Sequence, residues 1–161
     1  MDYRFFQASK SDIDNIANLI HKMNIHYFKE KAPGRTTTQK YVSSNFFAEH
    51  SGIKTVLVTT KNEAIAIATY SILYPAPGKG GQLFLKDLFT IEEFRGMGIG
   101  KKLLRHIAQI AIDHNCHRFD WTAETTNPKA IEFYERLGAE KVKEKVYFRF
   151  SGEELKNFAA E

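Results

Sequence analysis

Hydrophobic positions along the chain change period several times, and each change marks an element. Residues 3–7 alternate weakly, as an opening strand would. Ile13, Ile16, Ala17, Leu19, Ile20 and Met23 then recur at helical spacing to about His26, behind a Ser9/Ser11 cap with acids in the first turn. Residues 29–38 are polar and rich in turn formers, which predicts a loop, with a second helix over about 38–49. Thr55–Thr60 and Ala64–Leu73 read as two strands of a hairpin closed by Lys61-Asn62-Glu63. Residues 75–81 (Pro-Ala-Pro-Gly-Lys-Gly-Gly) hold the densest set of breakers and predict a long hairpin loop.

Next comes a strand over 83–90, and then a helix with apolar positions at Ile99, Leu103, Leu104, Ile107, Ala108 and Ala111. His117–Ala123 is a further strand. Asn127-Pro128 starts a helix that Gly138 ends. Lys141–Phe150 is mostly alternating and predicts a terminal hairpin, followed by a helical tail from Gly152. The order is two helices, a strand-rich block, then strand–helix units, which predicts a mixed α/β (α+β) sheet. The pattern shows no repeat, so residues 1–161 are expected to form a single domain.

Composition narrows the class. The 161 residues are 43% hydrophobic, enough for a substantial core, and carry a formal charge of +4. That charge is spread out, without a basic run, so a solvated surface is favoured over nucleic-acid binding. Cys116 is the only cysteine, which suits a reducing compartment, and no long apolar segment opens the chain. A cytoplasmic protein with no membrane span and no metal is the expectation.

The chemistry concentrates where the 83–90 strand hands over to its helix, at Arg95-Gly96-Met97-Gly98-Ile99-Gly100-Lys101. The first amides of a helix lack internal acceptors and the dipole is positive there, so the junction suits a phosphate or pyrophosphate. A Walker loop needs four residues between its glycines and a Ser/Thr after the lysine; here only three residues separate Gly96 from Gly100, and Lys102 follows Lys101. The dinucleotide pattern G-x-G-x-x-G is also missed, since this chain reads G-x-G-x-G. A second constellation runs from Asn127 through Ala130 to Phe133-Tyr134 and Leu137-Gly138-Ala139, again at a strand–helix junction. As an isolated pair, Phe133 and Tyr134 read as core aromatics; as a phenol near an anion site, Tyr134 reads as a proton donor.

Together the two motifs resemble the GNAT superfamily of N-acetyltransferases, and within it the spermidine/spermine (diamine) and thialysine N-acetyltransferases. The likeness is carried by 83–140, with the amino-terminal half matching in element order. It implies a mixed, mostly antiparallel central sheet of about seven strands, splayed in the middle, with helices on both faces. It further implies that acetyl-CoA is held by the backbone of Leu88, Phe89 and Thr90, by Arg95 and the amides of Gly96, Met97, Gly98, Ile99, Gly100 and Lys101, and by Asn127 and Ala130. Tyr134 is then the general acid for a direct attack of a small primary amine on the thioester. The base is open among Asp87, Glu92 and Glu124. Lys86, Asp87, Tyr27 and Trp121 are the expected acceptor-side residues. A homodimer is implied by the same likeness. Lys86 stands where polyamine-type members resemble Leu-Glu-Asp, which points to an amine bearing an anionic group. A silent acyl-CoA-binding module, or acetylation of a protein amine, are the competing readings.

Overall fold

The computed structural model describes residues 2–160. It falls into two compact units, 1–122 and 123–161, each taken by itself below.

The first unit is built on a five-stranded sheet in simple sequential order: β1 (Arg4–Gln7), β2 (Lys54–Thr60), β3 (Glu63–Ala76), β4 (Gly80–Thr90) and β5 (Cys116–Trp121). The first three pairings are antiparallel and β4–β5 is parallel. This is the expected mixed, mostly antiparallel sheet, with five strands among the described residues in place of about seven.

β3 holds the centre. Ala64 through Tyr70 are buried at every consecutive position, so both faces of the strand are covered. Helices α1 (Ile13–Phe28) and α3 (Ile99–Asp113) both contact it. Each presents the stripe predicted from sequence: Ile16, Ala17, Leu19, Ile20 and Met23 on α1, and Ile99, Leu103, Leu104, Ile107 and Ala111 on α3. The β2–β3 turn is two residues, Lys61 and Asn62, both with positive φ, the geometry that matches strand twist.

Two boundaries differ from expectation. Helix α2 is Arg35–Asn45, not 38–49. Its composition is polar, and what holds it is burial of Thr38 and Val42 beside α1, with Gly34 accepting from the Thr38 amide at 3.0 Å and hydroxyl at 3.1 Å. The long 75–81 loop is instead a short turn, because β3 continues to Ala76 and β4 resumes at Gly80. Glycine at 80 is required by close packing: a Cβ there would lie 1.9 Å from the His117 ring.

The second unit holds α4 (Pro128–Arg136) and α5 (Gly152–Ala160). Asn127 caps α4 by accepting from the Ala130 amide at 3.2 Å, with Pro128 in the first turn, and the helix ends at Gly138, all as read from sequence. Phe150 stacks on Phe158 at 4.5 Å. The predicted terminal hairpin over 141–150 is absent: the segment forms no strand and every residue in it is exposed. Alternation states which face a strand would bury; a strand also needs a neighbour for its N–H and C=O groups, and alternation cannot supply one.

Candidate active site

β4 carries an irregularity that organises the site. Asp87 pairs with Thr69 and Leu85 with Tyr70, which leaves Lys86 as the extra residue of a β-bulge. Neighbouring strand residues ordinarily face opposite sides, but a bulge re-aims them. Accordingly Lys86 and Asp87 both line one cavity of about 690 Å³, together with residues of α1, α2 and β3 such as Asn24, Tyr41 and Thr69. The buried Thr69 hydroxyl donates to Asp87 at 2.5 Å, and the Lys86 ammonium lies 3.8 Å from the other carboxylate oxygen. These two are the only charged residues among the lining.

Past the bulge the sheet opens. β5 pairs with β4 from Gly81 to Leu85 and no further, so Leu88, Phe89 and Thr90 have a β3 partner on one side and no β5 partner on the other. That is the expected splay, and it exposes a strand edge able to accept an extended chain. Directly beyond it, Arg95 turns back: its Nε donates to the Thr90 carbonyl at 2.9 Å and its guanidinium lies 5.5 Å from the Phe89 ring centre.

Gly96 and Gly98 both adopt the left-handed conformation, with φ of +77° and +76°, and Gly98 is the N-cap of α3. The helix's first internal bond is from the Lys102 amide to the Gly98 carbonyl, at 3.1 Å. The amides of Ile99, Gly100 and Lys101 therefore have no acceptor within the helix. Nothing lies within 4 Å of where a Cβ would stand on Gly96 or Gly98, so the glycines face open space. Ile99 is buried and anchors the turn, while Met97 is half exposed beside the Tyr3 hydroxyl.

The remaining sequence-predicted residues lie on other elements. Tyr27 is the penultimate residue of α1, edge-on to His26 at 5.0 Å, and Trp121 ends β5 against Phe119 at 4.9 Å; neither lines the cavity. In the second unit, Asn127 and Ala130 are occupied in capping α4, and Tyr134 sits on that helix with its ring 5.2 Å from Phe133. Glu92 lies in the short 3-10 turn after β4, and Glu124 in the exposed approach to α4.

His26 lies in the last turn of α1 and is exposed, as a helix-surface position predicts. The structure puts its ring 6.1 Å from Phe89 on the open strand. Its pKa is lowered from the ordinary histidine value, first by partial burial and then by the Arg95 charge, with Glu92 acting in the opposite direction. His21, earlier on the same helix, is half-buried. Among the described residues no group of His, Cys, Asp and Glu is placed to hold a metal, and no helix is long and apolar enough to cross a membrane.

A splayed sheet with a strand edge running into a glycine-rich helix start defines a cradle for a phosphate-bearing, extended ligand. Residues 17–139 match the acetyltransferase (GNAT) family, and the chain belongs to that family. The group expected from the loop is borne out. Thialysine N-epsilon-acetyltransferase of Sus scrofa is 35% identical over 83 residues, covering 50% of this chain and 49% of the relative. A spermine/spermidine N(1)-acetyltransferase of Bacillus subtilis is 29% identical over 96 residues, or 58% and 57% of the two chains. The aligned part thus spans about half the length of these curated relatives. An integron cassette protein from the mobile metagenome of V. cholerae is 39% identical with a TM-score of 0.97, covering 100% of this chain and 99% of that one.

Proposed function

We propose that residues 1–161 form one acetyl-CoA-dependent N-acetyltransferase domain acting on a small primary amine in the cytoplasm. The observation that carries this reading is the continuity of β4: a bulge at an acceptor-sized cavity, then an unpaired edge, then a glycine turn with vacant amides. The pantetheine arm lies along Leu88–Thr90 as an added strand, and the pyrophosphate sits on the amides of residues 96–101 beside Arg95. Asn127 and Ala130 flank the cofactor from α4. The amine attacks the thioester directly in a ternary complex, a strand amide polarises the carbonyl, and Tyr134 protonates the departing thiolate.

The acceptor arrives largely as an ammonium and must lose a proton first. His26 takes it. With its pKa lowered, the imidazole is neutral near pH 7 and offers a lone pair, whereas its protonated form offers none. The sign follows: kcat/KM rises with pH through a value below the ordinary histidine pKa of about 6.5. His26→Gln is expected to remove that acid limb and lower the plateau roughly tenfold or more. A variant with the native profile would return the role to Asp87 or Glu92.

The cavity favours an amine that also carries a carboxylate. A polyamine would meet a single carboxylate, Asp87, already bonded by Thr69 and neighboured by Lys86. A zwitterion meets one charge of each sign. The test is an acetyl-transfer screen of spermidine against amino-acid-like amines, for the native chain and for Lys86→Glu. The native chain is expected to prefer the amino-acid-like amines, and the reversed charge to shift the ratio toward spermidine by about tenfold. Native preference for spermidine would exclude the carboxylate-bearing class.

A further inference from the structure

The cavity that Lys86 and Asp87 share is uneven along its length. Both charges stand at the end where β4 bulges and the open edge of Leu88–Thr90 begins. On β3, Thr69, Ser71 and Leu73 all line it, and Thr69 is the strand partner of Asp87. At about 3.3 Å per residue, the floor from Thr69 to Leu73 is about 13 Å long. Leu73 is 46% exposed, so that end opens to solvent.

Away from the charges the walls offer mainly hydrocarbon. α1 supplies Ile20 and Met23, and β4 supplies Phe84 across from Ser71. Tyr41 of α2 and Phe46 just after it meet ring edge to ring face, with centres 6.2 Å apart. Several polar side chains of the lining are turned back on the protein. The Thr38 hydroxyl donates to the Gly34 carbonyl at 3.1 Å, the Asn45 amide to the Tyr41 carbonyl at 2.8 Å, and the Ser71 hydroxyl to the Gly52 carbonyl at 2.9 Å. A cavity of about 690 Å³ holds far more than a compact amine, and such walls favour a ligand with its polar groups gathered at one end.

Resting on the acetyl transfer proposed above, we infer that the acceptor is an α-amino acid with a large apolar or aromatic side chain. Its amine faces Asp87 beside the thioester, its carboxylate faces Lys86, and its side chain fills the channel toward Leu73. An α-amino acid carries both charges on one carbon, which suits a lysine ammonium and an aspartate oxygen 3.8 Å apart. An amine whose carboxylate lies several carbons away reaches only one of the two. A basic amino acid bound by its α-carbon leaves its second ammonium among apolar side chains, because Asp87 is the one carboxylate among the described residues of the lining. Alanine leaves the channel unfilled. In the reaction a C–N bond forms as the thioester C–S bond breaks, and one amine proton ends on the sulfur. The products are an N-acetyl amino acid and free CoA thiol.

The experiment measures binding and turnover separately, with phenylalanine, leucine, alanine, lysine and ornithine as acceptors. Titration calorimetry in the presence of CoA is expected to show phenylalanine and leucine binding at least about tenfold more tightly than the other three, and kcat/KM is expected to follow the same order. Two substitutions at exposed positions, each checked for fold by circular dichroism, locate the side chain in the channel. Leu73→Asp sets a carboxylate where the second ammonium of lysine would lie, and is expected to move the phenylalanine-to-lysine affinity ratio toward lysine by about tenfold. Tyr41→Ala removes one aromatic wall and is expected to lower the phenylalanine-to-alanine ratio by a similar factor.

Equal binding of phenylalanine and alanine, or tighter binding of lysine, overturns the assignment even where acetyl groups are transferred. So do the absence of binding by all five and ratios that neither substitution moves. Binding in the expected order with no N-acetyl product upholds the ligand class and overturns the acetyl transfer instead.

Discussion

Gly98→Val is expected to abolish acetyl-CoA binding while leaving the fold intact. Gly98 sits at φ +76° as the N-cap of α3, in the left-handed region that costs a residue with a Cβ about 1–2 kcal/mol, and a branched one more. Beyond its own chain neighbours, nothing lies within 4 Å of the position its Cβ would take, so the added side chain points into open space. The space it fills is the one from which a phosphate reaches the amides of Ile99, Gly100 and Lys101. Isothermal titration is expected to show Kd weakened at least about a hundredfold, or roughly 2.7 kcal/mol. Gly98→Ala separates the two causes, since a single methyl adds strain with little bulk and should weaken binding less than about tenfold. If the valine variant binds normally, the phosphates sit elsewhere.

Tyr134→Phe is expected to leave cofactor affinity near native and to slow turnover roughly ten- to a thousandfold, the scale of a lost general acid. The substitution removes one oxygen from a helix that buries no side chain, so stability should change little. A fall in kcat with an unchanged acetyl-CoA Kd distinguishes a proton donor from a packing aromatic, which would disturb both. Unchanged turnover removes Tyr134 from the reaction. A native chain that binds acetyl-CoA and turns over no amine would instead favour a silent acyl-CoA-binding module, a reading that the presence of Tyr134 argues against, because a pure binder has no use for a proton donor.

Much of the fold was legible because it rests on short-range rules. The α1 and α3 stripes predicted which residues are buried, since 3.6-residue periodicity fixes the inward face wherever the helix docks. Asn127-Pro128 marked the start of α4 because a capping side chain and a preset φ act within one turn. The glycine turn was legible for the same reason: helix geometry alone leaves its amides without acceptors.

What misled was always a property of a neighbour. Residues 35–37 look like loop and are helix, because Thr38 and Val42 are buried beside α1. Residues 75 and 76 look like breakers and are strand, because β4 pairs back against β3. His26 gained interest only when β4 brought Phe89 to it. Lys86 presents the clearest case. Its charge was visible in the sequence, but strand alternation would place it opposite Asp87, and only the extra residue in the β3–β4 ladder brings both to one cavity.

By itself, then, the sequence determined most of the elements, the buried stripes and the glycine turn with its unpaired helix amides, since each depends on bonds and contacts within a few residues. The tertiary structure decided the bulge that pairs Lys86 with Asp87, the opening of the sheet beyond Leu85, and the absence of a ladder over 141–150. Those depend on which strand lies alongside which, and a strand's own residues do not contain the hydrogen-bond partner that completes it.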